Sequence, residues 1–244
     1  MNKAQLIIEA TLKMSQAVSG LDFIEEITHI YNPLVYAWDA HRVYIERFAG
    51  NRKKVIFLGM NPGPWGMAQT GVPFGEISAV KDWLKIEEEV SRPAKEHPKR
   101  PVEGFLCSRS EISGKRLWSL IENRFGNPEK FFQEHYVANY CPVSFMTETG
   151  KNFTPDKLPK EQQKALFDVC DIHLREIAEI LEAEWLIGVG KFAEKRINEA
   201  LKKQIESSKI KSGTIIHPSP ASPAANKGWA EAVIIKMAEY GLWT

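Results

Sequence analysis

Cysteine is scarce in this sequence: Cys107, Cys141 and Cys170 are its three, odd in number and far apart. They supply neither a disulfide framework nor a Cys-x-x-Cys metal clip. Long hydrophobic runs are missing too. No stretch approaches the roughly 20 apolar residues that a membrane-spanning helix needs. The amphipathic opening segment carries Glu9, unlike the apolar centre of a secretory signal. A Gly/Ser linker, a low-complexity tract and an internal repeat are all absent. The 244 residues therefore read as one cytosolic α/β domain, 1–244, able to bury roughly three-quarters of its unfolded surface. Excess charge of one sign is also lacking, since 32 Lys and Arg face 31 Asp and Glu. That balance excludes a protein that holds polyanions by bulk charge.

The charge is uneven along the chain. Residues 92–116 hold seven Lys and Arg against three acids, and 191–236 hold nine against four. A local excess of this kind can meet a polyanion, and it equally describes solvated helix faces. A continuous apolar run at 54–59 predicts a strand covered on both faces, and the segments 136–141, 185–190 and 213–216 predict three more strands. Helices are expected at 2–18 (Ile7, Ala10, Leu12, Met14 and Val18 inward), 37–48, 77–90, 113–125, 160–182, 191–203 and 224–240. The 160–182 helix has the clearest stripe, with Leu166, Cys170, Leu174, Ile177 and Leu181 at steps of three and four. Residues 60–75 are too rich in Gly and Pro for regular structure, and 91–101 reads as an exposed loop or insertion. Strands alternating with helices imply a central four-stranded, mainly parallel sheet with helices on both faces.

Three of these strands end on a polar side chain beside a proline: Asn61-Pro62, Asn139 before Cys141-Pro142, and His217-Pro218. In a parallel sheet those ends share one edge, where open α/β sheets bind ligands. Taken singly, each residue has a plain reading. Asn before Pro forms turns, a strand-end His is often a satisfied polar group, and Phe74 suits a core. The loop at 59–63 lacks the Lys-Ser/Thr of a phosphate-binding loop and the spacing of a dinucleotide fingerprint. Their joint arrangement is what points to a site.

Two segments carry a resemblance. The first is Gly59-Met60-Asn61-Pro62-Gly63-Pro64 with Gln69-Thr70-Gly71-Val72-Pro73-Phe74-Gly75. The second is His217-Pro218-Ser219-Pro220 with Asn226-Lys227-Gly228-Trp229. Together with Cys107-Ser108-Arg109-Ser110-Glu111-Ile112-Ser113-Gly114, Asn139-Tyr140-Cys141-Pro142 and Gly188-Val189-Gly190-Lys191, the chain resembles the single-strand-selective monofunctional uracil-DNA glycosylases. The resemblance implies a DNA-repair hydrolase that flips uracil, or a 5-substituted uracil such as 5-hydroxymethyluracil, out of DNA and leaves an abasic site. It implies action on the nucleoid in a prokaryote or in the nucleus of a eukaryote. DNA, single-stranded and possibly duplex, would be the partner, with no obligate protein partner, no membrane, no metal and no cofactor. Three cysteines cannot supply the four ligands of the iron–sulfur cluster found in some uracil-DNA glycosylase families.

By the same resemblance, Asn61 would position the attacking water and His217 would donate to uracil O2. Phe74 would stack on the base and Asn139 would pair with N3–H and O4. Met60 and Gly63 would border the base, with Gly63 leaving room beside C5. Lys191, Ser219, Pro220, Ala221, Ser222 and Pro223 would meet DNA, the 221–225 loop entering the stack as a wedge. Some family members carry a basic residue where Ala221 stands. Three competing readings stay open: a glycosylase for deaminated purines such as xanthine and hypoxanthine, a DNA-binding module without catalysis, and an enzyme of free nucleotides.

Overall fold

The computed structural model describes residues 2–243. In chain order its elements begin with helix α1 (Lys3–Ser19), strand β1 (His29–Tyr31), α2 (Pro33–Tyr36), α3 (Trp38–Phe48), β2 (Val55–Gly59), α4 (Met67–Thr70) and α5 (Ile112–Phe125). There follow α6 (Pro128–Phe132), β3 (His135–Asn139), β4 (Ser144–Met146), β5 (Asn152–Phe153), α7 (Lys160–Ile180) and β6 (Trp185–Val189). The chain closes with α8 (Lys191–Ala200), α9 (Lys202–Glu206), β7 (Lys211–Ile215) and α10 (Trp229–Glu239).

The four expected strands form one parallel sheet in the order β3-β2-β6-β7. Every residue of β2 and β3 is buried, which is why those strands read as unbroken apolar runs. From β2 the chain crosses through α5 and α6 to β3 on one side, then returns through α7 to β6 on the other. Right-handed crossovers that travel in opposite directions cover opposite faces. Thus α5, α6 and α10 pack on one face and α7 and α8 on the other, with α1 laid over α7. The connections leaving β2 and β6 part toward different faces, so a crevice opens beside the end of β2.

Local chemistry accounts for the helices. Asn2 caps α1 by accepting from the Gln5 N–H at 2.8 Å, and α1 buries Ile7, Ala10, Met14 and Val18. All five residues of the α7 stripe are buried. Leu12, expected inward, is instead 43% exposed. Of the helix expected over 77–90 only the first part forms, α-helical at Ile77–Ser78 and then a single π-helical turn, Ala79–Trp83. Lys85 turns into the left-handed region with φ 56°, and Arg47 donates to the carbonyls of Leu84 and Lys85 that a continuing helix would need. The last expected helix is split by Gly228, with φ 109°, into a short turn at Ala225–Lys227 and α10.

Two features escaped the sequence pattern. One is a small antiparallel sheet, β1-β4-β5, whose strands of two or three residues are too short to show alternation. The other is the anchoring of the 91–101 loop. His97 in it is buried, its N–H donating to the Tyr31 hydroxyl at 2.7 Å. No helix among the described residues is long and apolar enough to cross a membrane.

Three buried histidines make the fold sensitive to acid. Burial holds His41 and His135 down to about 4 and His173 to about 3. His135 is satisfied only when neutral, since Nδ1 donates to the Phe131 carbonyl and Nε2 accepts from the Trp243 indole. The unfolded chain binds these protons near pH 6.5 and the native protein does not. Their stabilising effect is complete above about pH 6.5 and falls as pH drops toward about 4, each group costing about 1.4 kcal/mol per pH unit inside that window. Thermal melts should therefore show Tm falling steadily from pH 7 to pH 5, and a flat Tm would contradict this burial.

Candidate active site

The crevice at the end of β2 is a cavity of about 340 Å³. Met60, Asn61, Gly63, Phe74, Asn139, His217 and Ser219 all line it, so residues from segments far apart in sequence are brought together as expected. Pro220, Ala221, Ser222 and Pro223 lie outside the lining, on a largely exposed loop beside it. Lys191 is exposed at the first turn of α8, paired with Glu194 at 2.8 Å.

Gly59 makes the arrangement possible. In register with Asn139 across the β2–β3 pair, it has no side chain, and a Cβ there would overlap Asn139 Oδ1 and stand 2.6 Å from the Phe74 ring. Pairing continues beyond the strand through Tyr140 N–H to the Gly59 carbonyl and Cys141 N–H to the Met60 carbonyl, which fixes the direction of Asn139. Buried Arg196 adds support: it bonds the Tyr140 hydroxyl at 3.0 Å and Asp171 at 2.5 Å, tying the end of β3 to α7 and α8.

Phe74 sits on strained backbone, with φ 54°, a conformation that costs a non-glycine residue about 1 kcal/mol or more. Its carbonyl is clamped by the Trp118 indole at 3.0 Å and the Glu76 N–H at 2.7 Å. Gly114 lets α5 approach so closely that a Cβ would overlap that carbonyl. The ring is both core and pocket wall, 6.4 Å from the His217 ring.

The hydrogen bonds orient the polar groups. Asn61 Nδ2 donates to the Val143 carbonyl at 3.3 Å, leaving Oδ1 as an acceptor toward the cavity. His217 Nδ1 accepts from the Ser219 N–H at 3.1 Å, so the neutral ring carries its proton on Nε2. Burial lowers the His217 pKa from its ordinary value, which keeps the ring neutral at neutral pH.

The 217–226 loop is pinned from outside. Arg116 of α5 donates to the Pro218 carbonyl at 3.0 Å and to Asn226 Oδ1 at 2.9 Å, and Asn226 Nδ2 reaches back to the Pro220 carbonyl. Arg116, Met67, Glu111, Ser113, Asn152 and Thr154 belong to the site or its supports and were not singled out from sequence. Glu111 and Ser113 stood inside a recognised motif, and Met67 within the 61–75 segment. Lys227 is exposed and not in the lining, and buried Lys53 lies at the opposite end of β2, about 16 Å away by strand length. Among the described residues, no group of three His, Cys, Asp or Glu side chains is placed to hold a metal ion.

A cavity of this polarity, walled by one stacked ring, two amides and a neutral imidazole, suits a planar heterocycle with alternating donors and acceptors. Residues 47–238 match the family model "Uracil DNA glycosylase superfamily", and the chain belongs to that superfamily. Curated relatives narrow the assignment. The chain is 43% identical over 239 residues to the single-strand selective monofunctional uracil DNA glycosylase of Bos taurus, covering 98% of this chain and 87% of that protein. With the Rattus norvegicus protein of the same name it shares 44% over 98% of this chain and 85% of the relative. Within the superfamily the chain thus falls in the single-strand selective monofunctional family. The solved structure of wild-type SMUG2 from Pedobacter heparinus has the same fold, with TM-score 0.68 at 18% identity over 99% of this chain and 98% of that one.

One substitution tests the clamp on Phe74. At a solvent-exposed helix site, Gly to Ala stabilises by about 1 kcal/mol. Gly114→Ala should instead destabilise by roughly 1–3 kcal/mol, because its methyl group displaces the Phe74 carbonyl. Urea denaturation gives the sign directly, and a gain in stability would mean that the contact is loose.

Proposed function

We propose that this protein is a monofunctional uracil-DNA glycosylase. It takes uracil flipped from DNA and hydrolyses the N-glycosidic bond, leaving an abasic site. The observation that carries the reading is the convergence of Asn61, Phe74, Asn139 and His217 on one cavity, with the His217 proton on Nε2.

Phe74 stacks on the base. Asn139 accepts from N3–H and donates to O4, a pattern that cytosine reverses, so cytosine leaves groups unpaired at about 1–3 kcal/mol each. As the C1′–N1 bond breaks, its electron pair passes to the base and negative charge grows on O2. Neutral His217 Nε2–H donates to that oxygen as an oxyanion-hole group does. The sugar acquires oxocarbenium character, and a water held by Asn61 Oδ1 adds at C1′, losing its proton to solvent. Such a cation needs a positioned water more than a strong base, which is why an amide suffices. Neither segment offers a lysine at the reacting carbon, and that supports hydrolysis without strand cleavage.

DNA reaches the cavity across the 217–226 loop. Ser219, Pro220, Ala221, Ser222 and Pro223 meet its backbone and bases, and Lys191 meets a phosphate on exchanging Glu194 for it. The exposed part of that loop carries only small, uncharged side chains, which suits single strands, where no partner base must be displaced. The space beside Gly63 admits 5-substituted uracils.

The test is uracil release from labelled single-stranded and duplex oligonucleotides, read as alkali-dependent strand breaks, with deaminated purines as further substrates. His217→Ala should lower kcat by about 10²–10³-fold, and Asn61→Ala by about 10²-fold or more, with Tm close to that of the parent. Near-normal release by either variant would remove its assigned role. Because the imidazole acts neutral, the rate should stay level as pH rises from about 7 to about 8.5; a decline over that range would indicate an imidazolium donor.

A further inference from the structure

Outside the cavity, on its β2 side, three cations gather around one tryptophan. Pro64 lines the cavity, and half-buried Trp65 follows it, about 3.8 Å further along the chain. Two guanidinium groups converge on the indole. Arg109, exposed just before α5, has its Cζ 4.4 Å from the ring centroid, and Arg100 has its Cζ at 5.2 Å. Lys151 is exposed next to Asn152, another residue of the cavity wall. Among the described residues, none of these three cations lies within ion-pair distance of a carboxylate; the one such pair within the 92–116 segment joins Arg92 to Glu96.

The placement is fixed from several sides. Arg100 Nε donates to the Gly150 carbonyl at 3.0 Å, and the Arg100 carbonyl accepts from the Tyr31 hydroxyl at 2.7 Å. Gly150 precedes Lys151, so the same contact ties the 91–101 loop to the turn that carries the third cation. A guanidinium over an indole keeps its charge while its flat face is desolvated. The nearby acids do not neutralise the group. Glu96 is engaged by Arg92 and the Val102 N–H, and Glu111 by the Trp65 N–H. Glu103 and Glu148 remain, against Lys95, Lys99, Arg100, Arg109 and Lys151. Such a face attracts an anion.

The chemistry of the face selects the anion. A free phosphate or an acidic peptide would use the charges and leave the ring and guanidinium planes unused. A single nucleic-acid strand uses both, with phosphates on the cations and unpaired bases stacked on aromatic or guanidinium planes. A duplex offers the phosphates alone, because its bases are stacked on one another. His217 follows β7 and Trp65 follows β2, two places apart in the sheet. A strand whose flipped nucleotide fills the cavity is then held on one side by the 217–226 loop and on the other by this face. We infer that Trp65, Arg100, Arg109 and Lys151 form a second contact surface for single-stranded DNA, carrying the strand past the cavity. The inference rests on the uracil-glycosylase reading of this cavity.

The experiment measures Kd by fluorescence anisotropy for the full-length protein and a labelled oligonucleotide without uracil, single-stranded and as a duplex, so that binding is read without turnover. Trp65→Ala should weaken single-strand binding roughly tenfold, as for one lost stacked base, and duplex binding by less than about threefold. Arg109→Gln should weaken single-strand binding and lower the slope of log Kd against log salt by about 0.7, the share of one phosphate contact. Lys130→Gln, an exposed cation on α6 beyond the other end of β3, should leave both Kd values unchanged. Should Trp65→Ala melt too low to assay, Arg109→Gln and Arg100→Gln carry the same comparison. Unchanged single-strand affinity in the Trp65 and Arg109 variants overturns the inference. So does an equal loss on single strand and duplex in Trp65→Ala, or a loss of the same size in Lys130→Gln. A parent protein that binds the single strand and releases no uracil from a uracil-bearing one overturns the glycosylase reading instead, a result distinct from these.

Discussion

The site depends on one close approach, at the end of β2. Gly59 has no side chain, and the volume a methyl group would fill is shared by the Asn139 amide and the Phe74 ring. Any larger residue would push the Asn139 amide and the Phe74 ring apart. Because Gly59 is also hydrogen-bonded into the sheet on the β3 side, it cannot move to relieve the conflict. The most rigid part of the molecule, a parallel strand buried along its whole length, thereby sets the spacing of the pocket walls.

The chemistry exploits fixed groups more than charged ones. Two polar side chains at the crevice have one end committed to the protein: Asn61 to the Val143 carbonyl and His217 to the Ser219 N–H. The free end then has a single identity, acceptor or donor, with no rotation available. Preorganisation of this kind stabilises charge that develops during reaction without reorganising the site. The strained backbone of Phe74 fits the same scheme, since an α5 glycine and the Trp118 indole hold it in place. Glu111, whose Oε2 accepts from the Trp65 N–H, is the one acidic side chain in the cavity lining.

Outside the pocket, the loop that presents His217 is not left to its own conformational preferences. Three prolines, Pro218, Pro220 and Pro223, limit its backbone, and Arg116 and Asn226 tie its carbonyls to α5 and to one another. Its outer part carries small, uncharged side chains.

The sequence by itself determined the parallel sheet and the edge on which the site lies. Buried strands must be apolar throughout, and the polar residues that interrupt them, Asn61, Asn139 and His217, announce their ends. The motifs around them carried the family. Tertiary structure alone decided what depends on neighbours distant in sequence. Ser219 caps His217 locally, but Arg116 holds that loop from about a hundred positions away, and nothing in its own segment marks it. Glu111 is recognisable in a motif, yet only packing against Gly63 and Gly66 turns it toward the cavity. The 77–90 segment shows the limit most plainly. Its apolar spacing suits a helix, but Arg47 captures the carbonyls and Lys85 turns the chain. Local propensity is worth tenths of a kcal/mol per residue, and a tertiary contact of this kind outweighs it.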